Sequence, residues 1–292
     1  MSAPAIEVHG LRKLYGDFEA VRGIDFQVAR GEVFGLLGPN GAGKTTTVEI
    51  LEGYRSRSDG EVTVLGVDPG TRSRVLRAQV GIVLQSTGLY RHIRVREAVA
   101  HFAAMYPHPR DVDEVLDLTG LNGKEDAMAR TLSGGQLRRL DLALALIGDP
   151  ELIFLDEPTT GFDPAARRAA WDTIRSLREL GKTILLTTHY LDEAQELADR
   201  VAIIKDGRII IEGAPGELGA GAGRAGGRAP YRVAYRNGAG AIVERDTDDP
   251  TTLLYELTAA VLARGERLEA LTVTRPTLED VYLELTAEDG DG

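Results

Sequence analysis

Cysteine is absent from the 292 residues, which excludes disulfides, thiolate metal sites and thiol catalysis and fits a reducing compartment. Long apolar runs are missing too. The longest, such as Leu142 to Ile147, fall far short of the ~20 residues a membrane helix needs, so any membrane role must come through a partner. The first ten residues carry Glu7 and His9 and no basic region followed by an apolar block, so no signal peptide is expected. Basic residues are in the minority. The 34 Lys and Arg stand against 45 Asp and Glu, and the net charge of −11 argues against broad binding to nucleic acid or anionic lipid. What is present is a hydrophobic fraction of 43%, sufficient for a core, in a chain long enough for one large or two modest domains.

Short β-rich apolar runs alternate with helical patterns from Ile6 to about Leu218, which predicts α/β architecture with a mostly parallel sheet. Val33–Leu37, Val80–Leu84, Leu152–Leu155 and Thr183–Leu186 are apolar almost throughout, as expected for strands covered on both faces. Helical patterns follow at Gly43–Glu52, Gly134–Ile147, Pro164–Leu180 and Leu191–Ala198, and Asp206-Gly207 marks a hairpin turn within Val201–Ile211. Between about 86 and 149 the spacing becomes largely helical and reads as an inserted helical subdomain. Residues 219–229, nearly all Gly, Ala and Arg, read as a linker between a domain spanning 1–218 and a small α+β accessory domain at 230–286. The accessory strands are expected at Tyr231–Tyr235, Ala241–Glu244 and Leu268–Val273, with helices at Thr251–Ala263 and Thr277–Leu285. Residues 287–292 form an acidic tail.

Gly38, Pro39, Asn40, Gly41, Ala42, Gly43, Lys44 and Thr45 match the phosphate-loop pattern in full, between an apolar strand and a helix. The glycines let successive N–H groups curl around a triphosphate, and the following helix, opening through Thr46, adds its positive dipole end. Lys44 is expected on the β and γ phosphates of ATP and the Thr45 hydroxyl on Mg²⁺. A second element, the acidic pair Asp156-Glu157, leaves an apolar strand. Asp156 suits Mg²⁺ through water, because that ion keeps much of its hydration, and Glu157 suits a general base polarising the attacking water.

Phosphate loops serve many families, so the deciding stretch is Leu132-Ser133-Gly134-Gly135-Gln136. It resembles the signature of ABC ATPases, and within that family Leu140–Leu146, the Gly161-Phe162-Asp163-Pro164 turn and Pro276–Tyr282 resemble the ATP-binding subunits of daunorubicin-resistance-type (ABC-2 type) drug exporters. Physically it is a second anion-binding helix start, although an ordinary Ser133 N-cap is expected locally as well. The resemblance covers Ile6 to about Leu218 and implies an ABC-type P-loop NTPase fold. It further implies that Tyr15 stacks on adenine, that Gln85 touches Mg²⁺ and takes part in catalysis, that Asp163 crosses a dimer interface, and that His189 is a switch contacting the γ-phosphate and catalytic water. Phe162 stands where leucine is commoner and Leu137 where a polar residue is frequent. His9, His92, His101 and His108 lack such context and are expected on the surface.

By the same resemblance, two copies form a head-to-tail homodimer around two ATP molecules, each held by one copy's phosphate loop and the other's Ser133–Gln136. A separate membrane-spanning permease, contacted from the cytoplasmic face, carries the cargo, and no nucleic acid is involved. Arg91 to Arg94 are either its contact or an ordinary solvated turn. The C-terminal match, through Pro276–Tyr282, places that segment either as an assembly aid or as an unrelated regulatory domain. Alternatives are an importer subunit or an ABC ATPase outside transport. Against the latter, the phosphate loop and signature leave no room for the long coiled coils of repair types, and the chain has a single ATPase cassette.

Overall fold

The computed structural model describes residues 3–83, 92–219, 231–236, 240–265, 267–274, 278, 279 and 282. Gln85 and Arg91 lie outside these residues, as do most of the expected linker, most of the Thr277–Leu285 helix and the acidic tail. By internal packing the chain divides into two compact units, Met1–Ile210 and Ile211–Gly292.

The first unit is built on β1 (Ile6–Tyr15), β2 (Phe18–Val28), β3 (Val33–Leu37), α1 (Lys44–Leu51), β4 (Asp59–Val64), α2 (Arg74–Gln79) and β5 (Val80–Val83). It continues through α3 (Val95–Ala103), α4 (Val112–Leu118), α5 (Gly134–Leu146), β6 (Leu152–Asp156), α6 (Pro164–Glu179), β7 (Thr183–Thr188), α7 (Leu191–Leu197), β8 (Arg200–Lys205) and the first half of β9 (Arg208–Gly213), which runs on into the second unit. The large sheet has the order β5-β6-β7-β3-β8-β9, with β5, β6, β7, β3 and β8 parallel. Alternate residues of its strands serve two separate cores, as the period of two requires. Val33, Ile153, Leu155, Ile184 and Leu186 join the core packed by α3, α4, α5 and α6. Phe34, Leu152, Phe154 and Leu185 join the opposite one, where Phe34 stacks on Phe26 at 5.4 Å between centroids. Each such buried side chain contributes about 1.5–3 kcal/mol.

That opposite core is roofed by something the parallel-sheet reading did not contain: a three-stranded antiparallel sheet in the order β2-β1-β4. Its alternation is broken by register shifts between Val8 and Leu11, where Gly10 adopts φ 56°, so no uninterrupted period-two run marks it in the sequence. By contrast, the β8–β9 turn is as read. Asp206 and Gly207 take φ of 49° and 75°, the positive pair that a two-residue hairpin turn demands. The second unit holds α8 (Pro215–Gly219), β10 (Tyr231–Arg236), β11 (Ile242–Thr247), α9 (Pro250–Leu262) and β12 (Glu269–Thr274), with the antiparallel order β11-β10-β12.

Candidate nucleotide site

Three parallel strands deliver the site. β3 runs into the phosphate loop, β6 ends at Asp156 and Glu157, and β7, which lies between them, ends beside His189. Because the strands are parallel, their carboxyl ends open on one edge, where open α/β sheets bind ligands. The acidic pair is thus two strands from the loop, with the histidine strand interposed.

The loop's shape needs glycine at two places. A Cβ on Gly38 would stand 2.2 Å from the Ile204 carbonyl oxygen. Gly43 adopts φ 106°, and its Cβ would stand 2.7 Å from the Ala20 oxygen. The hairpin turn braces the loop from below, Gly207 N–H donating to the Ala42 oxygen at 3.0 Å. Gly43 is also the N-cap of α1 and offers no capping side chain, so the first N–H groups of that helix find no side-chain acceptor at the cap. Asn40, Gly41 and Thr45 are exposed; Pro39 and Thr46 are half-buried.

Lys44 is buried and donates from Nζ to the oxygens of Gly38 at 2.7 Å and Pro39 at 3.1 Å. Burial pulls its pKa down, while the Glu157 and Asp156 charges oppose that shift. Its Nζ lies 3.8 Å from Glu157 Oε1, and His189 Nδ1 lies 3.4 Å from the same oxygen. Lys44, Glu157 and His189 are therefore brought together around one carboxylate oxygen. That His189 nitrogen is buried without a hydrogen-bond partner among the described residues. Asp156 accepts from the Thr187 hydroxyl, and burial, with Glu157 beside it, raises its pKa against the pull of Thr187, Lys44 and Arg138.

Glu157 has φ 45°, a strained value for a residue with a side chain, at a cost of about 1–3 kcal/mol. Its N–H donates to the Thr187 oxygen at 3.2 Å and hydroxyl at 3.1 Å, and the Thr160 hydroxyl donates to its Oε2 at 3.2 Å. A helix start with no capping side chain, a buried histidine nitrogen that makes no hydrogen bond among the described residues, and a carboxylate pair beside an ammonium fit a magnesium-bound polyphosphate.

The other candidates make local contacts of their own. Ser133 caps α5: its hydroxyl accepts from Gln136 N–H at 3.3 Å, and its own N–H donates to Gln136 Oε1 at 3.0 Å. The expected local cap is present, and the hydrogen bonds of both side chains stay within that turn among the described residues. A Cβ on Gly134 would meet nothing within 4 Å, so the backbone at the helix start is open to an approaching group. Asp163 caps α6, accepting from Ala165 at 2.9 Å and Ala166 at 2.8 Å. Tyr15 is 40% exposed, with Lys13 Nζ 5.2 Å and the Arg55 guanidinium 5.3 Å from its ring centroid. His9, His92, His101 and His108 are all exposed. Ile93 packs against the helical core and the Arg94 guanidinium donates to the Asp126 oxygen, so both have internal work.

Sequence reasoning missed two buried polar residues beside the site. Glu193 on α7 is 1% exposed and accepts from Thr159 at 2.8 Å and Trp171 at 3.2 Å. Its spacing of four from buried Leu197 was the available signal. Arg138 on α5 donates to the backbone oxygens of Asp156 and Pro158.

The ABC transporter family model matches residues 21–160. Nod factor export ATP-binding protein I of Paraburkholderia xenovorans (strain LB400) is 42% identical over 303 aligned positions, covering 99% of both chains. The chain belongs to the ABC transporter family. Another relative of this ABC ATPase, the daunorubicin resistance ATP-binding protein DrrA3 of Streptomyces coeruleorubidus, is 39% identical and covers 99% of this chain and 98% of its own. Among solved structures, cbiO1 from Clostridium perfringens, part of the ABC transporter complex cbiONQ, superposes with TM-score 0.68 at 32% identity. That match covers 74% of this chain and 91% of the other. The ABC-type cassette expected from the signature is the fold observed, and the chain is an ATP-binding ATPase.

One acidic group of this ABC ATPase lies outside the chemistry. Glu52 closes α1, and burial, reinforced by Asp156 and Glu49, raises its pKa from 4.5 to about 8. The folded chain holds this proton more tightly than the unfolded one, so the associated stability is full below 4.5 and fades as pH rises toward 8. Glu52→Gln is expected to flatten that decline. Above pH 8 the variant gains on the order of a few kcal/mol over the parent, read as a Tm difference absent at about pH 4.

Proposed function

We propose that this ABC ATPase is the motor of an exporter that moves a small, drug-like or antibiotic-like molecule through a separate membrane-spanning permease. The observation that carries the chemistry is the convergence of Lys44, His189 and Glu157 at one carboxylate oxygen. The export reading rests on full-length similarity to the Nod factor export and daunorubicin resistance proteins. Among the described residues no helix is long and apolar enough to cross a membrane, which is why a permease partner at the inner membrane face is part of the proposal.

In this mechanism the backbone of Gly38 to Gly43 and the start of α1 cradle the phosphates, and the Lys44 ammonium turns from its own loop carbonyls to the β and γ phosphates. Thr45 and Asp156, with Gln85, would hold Mg²⁺, which supplies charge neutralisation at the phosphates. Glu157 orients and deprotonates the attacking water, and His189 fixes that water and the γ-phosphate from the β7 side. Tyr15 stacks on the adenine. The second helix start, Ser133 to Gln136, faces the nucleotide of a sister copy, with Asp163 at the shared interface. ATP then joins two positive helix ends, and hydrolysis removes the link and lets the pair open. The C-terminal unit assists assembly of that pair.

Isolation of the tagged chain from detergent-solubilised membranes of its native host tests the transport reading. A multi-span membrane protein in stoichiometric amount is expected. Recovery of all the chain in the soluble fraction, or with nucleic acid, would contradict it.

A further inference from the structure

Glu157 owes its orientation to groups outside its own turn. The peptide unit entering it is held at both ends: the Thr187 oxygen accepts its N–H at 3.2 Å, and Arg138 Nη2 donates to the Asp156 carbonyl at 3.1 Å. On the far side, Arg138 Nε donates to the Pro158 carbonyl at 3.2 Å. One guanidinium therefore grips the carbonyls on either side of a residue whose φ, 45°, the isolated chain would avoid. Two different nitrogens of one planar fork, Nε and Nη2, make these contacts, whereas an ammonium would have to serve both carbonyls from a single nitrogen.

The cation is also an expensive one to place here. Burial pulls the Arg138 pKa down, and the carboxylates of Asp141, Asp156 and Glu193 act against that. Arg138 stands on α5, the helix whose first turn is Ser133 to Gln136. α5 therefore reaches both the place where a sister copy's nucleotide would bind and the backbone that aims this copy's own carboxylate.

We propose that Arg138 is a positioning residue that ties the placement of the signature helix to the alignment of Glu157 within one subunit. This rests on the reading of Glu157 as the base. When the helix start engages the sister nucleotide, α5 settles, the guanidinium fixes the two carbonyls, and the carboxylate meets its water. When α5 swings away, the Glu157 turn loses its brace and idle hydrolysis is suppressed.

The test uses the full-length chain with Arg138→Gln and Arg138→Lys. Phosphate release gives kcat and KM, a fluorescent ATP analogue gives Kd, and size exclusion of Arg138→Gln combined with Glu157→Gln reports the ATP-dependent dimer. A fall in kcat of roughly tenfold or more is expected for glutamine, with a smaller fall for lysine, because a misaligned base loses most of its effect. ATP affinity and the dimer are expected to stay within about twofold of the parent. The inference is overturned if kcat persists in folded Arg138→Gln, or if affinity falls in step with kcat. Failure of both variants to fold assigns Arg138 to structure and overturns it as well. Should Glu157→Gln abolish turnover while the Arg138 variants keep it, only this inference fails; should Glu157→Gln keep turnover, the base assignment fails first.

Discussion

Glu157→Gln is expected to bind ATP normally and to lose turnover by about 10²–10⁴-fold, the range a positioned general base contributes. The amide keeps the shape of the side chain, and the backbone N–H bonds to Thr187 are untouched, so the strained turn remains. What disappears is the capacity to take a proton from water. Removal of the negative charge 3.8 Å from Lys44 also frees that ammonium to serve the phosphates alone. The variant should therefore hold its nucleotide at least as well as the parent and accumulate as a dimer with ATP, visible by size exclusion. Near-normal phosphate release from this variant would remove Glu157 from its role.

Lys44→Ala is expected to weaken nucleotide binding by roughly 10- to 150-fold, the equivalent of one charge-assisted hydrogen bond of about 1.5–3 kcal/mol. Two effects add to the direct loss. Glu157 and Asp156 both act on Lys44 as attractive charges, and without it they face an incoming polyphosphate unscreened. The loop also loses the ammonium that ties the oxygens of Gly38 and Pro39 together. An equilibrium titration with a fluorescent ATP analogue reads the change, and an unaltered Kd would mean that Lys44 serves only the loop.

The parts of this molecule that were legible in the sequence are those where one physical constraint dominates. Val33–Leu37, Leu152–Asp156 and Thr183–Thr188 are buried on both faces, so apart from the terminal Asp156 their residues are apolar or threonine and stand out as runs. The path of the loop demands glycine where a Cβ has no room, as the clash of a Gly38 Cβ with the Ile204 carbonyl shows. The β2-β1-β4 sheet was missed because its strands are half-exposed and interrupted at Gly10, which blurs their period. Strand order was also out of reach: the hydrogen bonds that put β7 between β3 and β6 join residues about 30 to 150 positions apart, and local pattern carries no such information. Arg138 and Glu193 escaped notice because a charged residue in a helix reads as solvated until the packing around it is known. Completion of the proposed site by a second copy is something that one chain's sequence can suggest only through the Ser133–Gln136 signature.

The absence of cysteine makes the central claim directly measurable. One preparation carries Asn40→Cys, in the exposed tip of the phosphate loop, and another carries Ser133→Cys, both with Glu157→Gln. Mixed and oxidised with ATP, they are expected to form a disulfide-linked heterodimer that neither forms alone and that fades without nucleotide. ATP binding at both sites with no such crosslink would contradict the account.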